Sequence, residues 1–150
     1  MTPGAIRPEI VADRALWIRR MVRDLSTLPL ENVEAFHADK HFSAAAESYL
    51  RRALEALMHL GRHILAKGFG YPATEYKEVA KALSERGVLG PDTAKLMTQM
   101  AGYRNRMVHF YHEIEPGELY EICHSHLHDI EKVLDDMLAW VRTFKQEPSC

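Results

Sequence analysis

Apolar residues recur at threes and fours along almost the whole chain, the spacing of one face of an α-helix. The most regular series is Leu119, Cys123, Leu127, Ile130, Leu134, Met137, Val141 and Phe144. It predicts one long helix over about 118–145. A second series, Phe42, Ala46, Tyr49, Ala53, Leu57, Leu60 and Ile64, predicts a helix over about 39–67. Arg51, Arg52, Glu55 and Arg62 fall between these positions, and Gly68-Phe69-Gly70-Tyr71-Pro72 supplies the stop. Nearer the start, Pro8 opens a segment with Ile10, Trp17, Met21, Leu25 and Leu28 at helical spacing, and Pro29 ends it. A short helix over 31–38 is expected next.

Thr74 is expected to cap a helix whose buried side is Tyr76, Val79, Ala80 and Leu83, with Gly87 in the left-handed position after it. Gly90-Pro91-Asp92 is a second stop-and-start signal. Leu96, Met100, Tyr103 and Met107 then carry a further helix, and Pro116-Gly117 breaks the chain before the last one. No segment alternates with the period of a strand, and no internal repeat is present. Short connections favour antiparallel neighbours. The expected fold is all-α, an up-and-down bundle of four major helices plus one or two short ones. It forms one domain over residues 1–150, with its core at about 8–145 and a frayed tail at 146–150.

Composition changes this picture little. A chain of 150 residues with 47% apolar and 27% charged positions suits one globular core. The net charge of -2 argues against broad coating of nucleic acid, so no DNA partner is expected, but it leaves room for a local basic site. The two cysteines, Cys123 on an apolar stripe and Cys150 in the tail, do not make a disulfide framework, so a reducing cytoplasm is expected. Residues 1–14 lack a long apolar run and carry Glu9 and Asp13, unlike a signal peptide. No apolar run is long enough to cross a bilayer, and no membrane association is expected.

Candidate chemistry concentrates in Gly102-Tyr103-Arg104-Asn105-Arg106-Met107-Val108-His109-Phe110-Tyr111-His112. If the helix runs through this stretch, Arg104, Val108 and Tyr111 form one stripe and Asn105, His109 and His112 the next. Arg104, Asn105, His109 and Tyr111 then share one broad half of the helix, while Tyr103 and Met107 face the core. Histidine titrates near neutral pH and can move a proton either way. Arginine keeps its charge and holds phosphate oxygens with a planar fork. Cleaving RNA without a metal needs both: a base for the ribose 2′-hydroxyl and a fixed cation for the phosphorane-like transition state. Asn105 could orient the histidine or a phosphate. Tyr111 could stack, hydrogen-bond or be modified. An arginine and a histidine five apart also occur together by chance, so spacing alone leaves the bland reading ahead.

The run from Arg104 to Tyr111 resembles the R-x4-H-x-Y signature of the HepT-like toxins, a branch of the HEPN superfamily. The resemblance covers roughly residues 8–144, including the long second helix around 45–66 and the helix pair 76–89 and 96–103 before the motif. It implies a HEPN-like bundle that forms a homodimer, with two motifs meeting at the interface as a composite, metal-independent endoribonuclease site and no cofactor. It implies the toxin of a type VII-like toxin–antitoxin system, with RNA as substrate. It also implies a minimal nucleotidyltransferase antitoxin that neutralises the toxin by transferring AMP to the motif tyrosine. Carried over, Arg104 and His109 are catalytic, Asn105 supports them, and Tyr111 is the AMP acceptor. His112 is not part of the family pattern, which bears on partner docking. A rival reading is a non-catalytic helical subunit that binds a nucleotide or a nucleotidyltransferase.

Other features have blander explanations. His59 and His63 lie four apart with Glu55 one turn earlier, which is metal-ligand spacing, but the glutamate of H-E-x-x-H is replaced by Leu60. Solvated or interface histidines are the favoured reading, and no metal is expected. His124, His126 and His128 form a second cluster, in which His124 and His128 share a face. Arg14, Arg19, Arg20 and Arg23 make the first helix basic, read first as solvated surface and second as a contact for RNA or a partner. Met97, Met100 and Met107 read as core or interface fillers.

Overall fold

A computed structural model describes residues 6–109 and 114–144. These form seven helices: α1 (Pro8–Ser26), α2 (Val33–Ala38), α3 (Lys40–Phe69), α4 (Tyr76–Glu85), α5 (Pro91–Val108), α6 (Pro116–Ser125) and α7 (Leu127–Thr143). No strand occurs among the described residues. The fold is the expected all-α bundle, with α1, α3, α5 and α7 as its long members. Tyr111, Phe110, His112 and the tail from 145 onward lie outside the described residues.

Helix α3 is the axis of the bundle and packs against each of the other six helices. Leu50, Ala53, Leu54, Leu57, Met58, Leu60, Ile64 and Leu65 are all fully buried along it. Side chains at 53, 54, 57, 58, 60 and 64 fall within about half of the helix circumference, the buried side of α3. The open side carries a polar stripe at Arg51, Glu55, His59 and Arg62, spaced four, four and three, with Arg52 and His63 beside it. Gly61 sets how closely α4 and α5 approach this helix. A Cβ there would lie 2.7 Å from Val79 Cγ1, 3.0 Å from Leu83 Cδ1 and 3.2 Å from Met97 Cε.

The helix ends follow local chemistry. The Asn32 side chain accepts from the Ala35 N–H at 3.0 Å, and the Asp39 carboxylate from the His41 N–H at 2.9 Å. Gly70 closes α3 in the left-handed conformation at φ 64°, with the Tyr71 N–H donating to Leu65 O at 2.9 Å. Pro91 and Pro116 occupy the first positions of α5 and α6, where a missing N–H costs nothing.

Two expectations are corrected. Thr74 does not cap α4: Glu75 holds that position without a side-chain bond. Glu78, in the first turn, does the work instead. The Tyr71 hydroxyl donates to it at 2.6 Å, and that bond first, then the N–H groups of Thr74 and Glu75, hold its carboxyl below the ordinary value. The long final helix is also divided. His126, at φ -119° and ψ 5°, separates α6 from α7, and its Nδ1 pairs with Asp129 Oδ2 at 2.8 Å in the first turn of α7. The apolar series hides this break because Leu127 still packs against the core. A third short helix results.

Replacing Gly61 with valine should cost about 1–3 kcal/mol, since the added methyl groups meet side chains already in contact. Urea unfolding reads this as a lower midpoint. A wild-type midpoint would show that α4 and α5 can withdraw from α3 freely.

Candidate functional site

The polar stripe of α3 faces the start of α4 and the last turns of α5. Arg62, Thr74, Glu75, Tyr76, Lys77, Arg104, Asn105 and His109 line an open cleft of about 470 Å³ there. Three helices therefore contribute, each through a position that its own buried face leaves outward. Tyr103 and Met107, on the other side of α5, pack against the core as expected.

Tyr76 is the centre of the cleft wall. The Arg104 guanidinium lies over its ring at 4.6 Å from the centroid, and that of Arg62 at 5.1 Å. Arg62 also donates through Nη2 to the Thr74 carbonyl, which ties α3 to the segment entering α4. The Tyr76 hydroxyl is 3.4 Å from His59 Nε2. Arg104 Nε stands 3.7 Å from Glu55 Oε1, which also accepts from Arg51 Nη1 at 3.2 Å. The Arg104 side chain is only 23% exposed. Its Nε, like that of Arg62, is buried with no hydrogen-bond acceptor among the described residues. Such donors cost free energy, and here both belong to cations held against one aromatic face.

His109 stands at the rim. Helix α5 ends at Val108, and His109 is extended at φ -85° and ψ 111°, with its N–H donating to Asn105 O at 3.0 Å. This corrects the expectation that the helix runs on through the motif. Arg104, Asn105 and His109 nevertheless reach the same cleft. Tyr111 lies outside the described residues, and so does its place relative to them. Just before that segment, Arg106 grips both oxygens of Glu118, through Nη1 and, at 2.6 Å, through Nη2, and so fixes the end of α5 to the start of α6.

The remaining histidines separate by role. His59 stands behind the cleft wall, against the Tyr76 hydroxyl, and lines a neighbouring hollow. Burial first, and then the charges of Arg14, Arg62 and Arg104, push its pKa below the ordinary value, against the opposing pull of Glu55. His63 points elsewhere and accepts from the Arg7 backbone N–H at 3.2 Å. Glu55 is engaged by two arginines, and no group of three potential ligands is placed to hold a metal ion among the described residues. His124 Nδ1 is 2.7 Å from Leu30 O, and its ring stacks on Tyr120, whose hydroxyl donates to the same carbonyl at 2.7 Å. On α1, Arg19 pairs with Asp135 of α7 at 3.3 Å, whereas Arg14 faces His59. Sequence reasoning missed Tyr76, Arg62 and the bracing role of Glu55. The 51–55–59–62 spacing on α3 was the available signal.

The model of the HepT-like ribonuclease family matches residues 18–137. The chain belongs to that family. Membership makes it an endoribonuclease. A tRNA nuclease HepT of Aphanizomenon flos-aquae (strain 2012/KM1/D3) is 22% identical over 142 residues, which cover 95% of this chain and 97% of the relative. Among solved structures, a tri-AMPylated Shewanella oneidensis HEPN toxin in complex with an MNT antitoxin superposes with a TM-score of 0.80 at 20% identity, covering 89% of this chain and 99% of that one. A toxin–antitoxin crystal structure with AMP-PNP gives a TM-score of 0.78 at 18% identity, covering 87% and 99%. At such identities the two structures support the fold. No helix of the described residues is long and apolar enough to cross a membrane.

The His63 contact carries a pH signature. Burial first, then the charges of Lys67 and Arg7, lower the pKa of His63 in the folded chain, so the folded state prefers it neutral. Its contribution is present above the unfolded value of about 6.5 and is lost as the pH falls from there through the lower value of the folded chain. Stability measured by urea unfolding should drop between about pH 7.5 and pH 5.5, and drop less in His63→Gln. Parallel curves for the two proteins would exclude this linkage.

Proposed function

We propose that this endoribonuclease is the toxin of a toxin–antitoxin pair and cuts RNA by internal transesterification at the cleft between α3, α4 and α5. The observation that carries the reading is a permanent cation and a titratable imidazole, Arg104 and His109, lining one cleft beside the braced Tyr76. His109 acts as the general base and takes the proton of a ribose 2′-hydroxyl. The 2′-oxygen attacks phosphorus, the bond to the 5′-oxygen breaks, and a cyclic phosphate and a 5′-hydroxyl result. Arg104 holds the non-bridging oxygens as negative charge builds on them. Asn105 orients the phosphate or the imidazole.

The leaving 5′-oxygen needs a proton from a second acid. A homodimer with two motifs facing each other supplies it from the partner copy of His109, so the site is composite. The chemistry needs no metal, because the base and the charge both come from side chains. The whole chain acts as one HEPN-type domain in the cytoplasm, on RNA and not DNA. A minimal nucleotidyltransferase neutralises it: the Tyr111 hydroxyl attacks the α-phosphorus of ATP, pyrophosphate leaves, and AMP remains on the tyrosine. The family match, the tRNA nuclease relative and the AMPylated toxin among the structural neighbours support this reading.

His109→Ala and Arg104→Ala should each lower kcat on RNA by about 100-fold or more, with wild-type activity retained in EDTA. Arg104→Lys should recover little, because an ammonium lacks the planar fork. Cleavage that survives both alanine variants would sink the assignment and leave a nucleotidyltransferase-binding subunit as the better reading. The modification is tested by mass: antitoxin and ATP should add AMP to wild type and none to Tyr111→Phe.

The brace on Arg104 has its own test. Tyr76→Phe keeps the aromatic face and should cleave within about twofold of wild type, whereas Tyr76→Ala should lower kcat about tenfold with a smaller change in KM, the cost of a modestly misplaced catalytic group. Equal kcat for the two variants would show that Arg104 needs no support from the ring.

A further inference from the structure

The cleft does not end at Tyr76. On the far side of His59, a second hollow of about 140 Å³ is lined by Arg14, Trp17, Arg52, Glu55, Ala56 and His59. A third, of about 300 Å³, continues over Asp13, Leu16 and Arg20 and shares Arg14 and Trp17 with the second. The second and third hollows are continuous through Arg14 and Trp17, and the second adjoins the cleft across two contacts between their walls, Tyr76 with His59 at 3.4 Å and Arg104 with Glu55 at 3.7 Å.

The permanent cations of the three hollows, Arg14, Arg20, Arg52, Arg62, Lys77 and Arg104, outnumber their carboxylates, Asp13, Glu55 and Glu75. Glu55 is already held by Arg51 and Arg104. Asp13 meets Arg14 only at 3.9 Å, and its own side chain is largely in solvent. Arg52 is exposed and has no carboxylate within ion-pair distance among the described residues. The charges of Arg14, Arg62 and Arg104 all reach His59, so the fields of the two hollows merge over that side chain. Trp17 is half-buried and lines both outer hollows, which leaves part of an indole face beside two arginines.

We propose that the strip formed by Arg14, Trp17, Arg52 and His59 binds the single-stranded RNA that flanks the scissile phosphate. Arg14 and Arg52 take backbone phosphates, Trp17 stacks on a base, and His59 carries the strand past Tyr76 into the cleft. Cations that track a backbone beside an aromatic platform are the features that hold single strands without regard to sequence. A protein partner is the weaker match, because the cores of protein interfaces are depleted of charge. The inference rests on the reading that RNA is cut beside Arg104 and His109.

Binding measured apart from cleavage tests it. In a His109→Ala background, fluorescence anisotropy follows a labelled single-stranded RNA over a range of salt concentrations. Arg14→Ala with Arg52→Ala, and separately Trp17→Ala, should each weaken binding about tenfold. The double arginine variant should also reduce the salt slope by about one to two. Trp17→Phe should restore most of the affinity lost in Trp17→Ala. Sedimentation velocity and thermal melting on the same proteins should be unchanged. Affinity within twofold of the parent in both alanine variants overturns the proposal. So does a weakened oligomer or weakened antitoxin binding with RNA affinity intact, which would make this face a protein interface. Because the parent does not cleave, a wild type without ribonuclease activity defeats the functional reading alone and leaves the strip to be judged by its binding.

Discussion

The structure depends on the burial of α3. Six helices pack around it, and its buried apolar side chains take up about half of its circumference. Polar residues on such a helix are confined to the remaining side, where neighbours on other helices hold several of them. Burial thus produces the site as a by-product of the fold: Arg51, Glu55, His59 and Arg62 are confined to a narrow seam, and α1, α4 and α5 border that seam. Gly61 belongs to the same constraint, because the missing side chain lets Val79, Leu83 and Met97 close over the helix next to Arg62.

Electrostatics in the seam are arranged around a shortage of acceptors. Glu55 is shared between Arg51 and Arg104, and the longer of the two contacts, 3.7 Å, belongs to Arg104. Tyr76 supplies the rest through its ring, which is electron-rich on its face and serves Arg62 as well. A ring attracts a guanidinium without occupying its donors. Arg104 is therefore held in place and only partly neutralised, which suits the role proposed for it, holding charge that develops on a phosphate. A second carboxylate in the same position would have stabilised the arginine better and blocked its use.

Much of the fold was legible in the sequence because each helix buries a stripe, and a stripe leaves a three-four record. The short helix 33–38, the stop at Gly70 and the start at Pro91 followed from local residue chemistry. Where reading failed, a second interaction had replaced the local one. Glu78 took over the beginning of α4 from Thr74, and the break at His126 was masked because Leu127 remains packed. The motif was visible as residue types in order, yet its helix ends at Val108, one residue before the histidine. Tyr76 was visible only as a member of a buried face, and its contacts with Arg62 and Arg104 come from packing between helices far apart in sequence. No pattern within one helix records such a meeting.

The slightly acidic whole and the basic seam follow from one requirement. A chain with net charge -2 has little general affinity for nucleic acid, so non-specific attachment over its surface is weak. Arg14, Arg52, Arg62 and Arg104 instead line two adjoining hollows where α1, α3, α4 and α5 meet. A field concentrated in that way falls off within about a Debye length, roughly 8–10 Å at ordinary ionic strength. It acts on a strand already lying in the seam far more than on one passing the opposite face. On the proposed reading net charge is a poor guide to the ligand, because what would select an extended phosphodiester is where the cations lie. The packing of α1 and α5 against the open side of α3 decides that, since it brings Arg14 and Arg104 beside the arginines of the central helix.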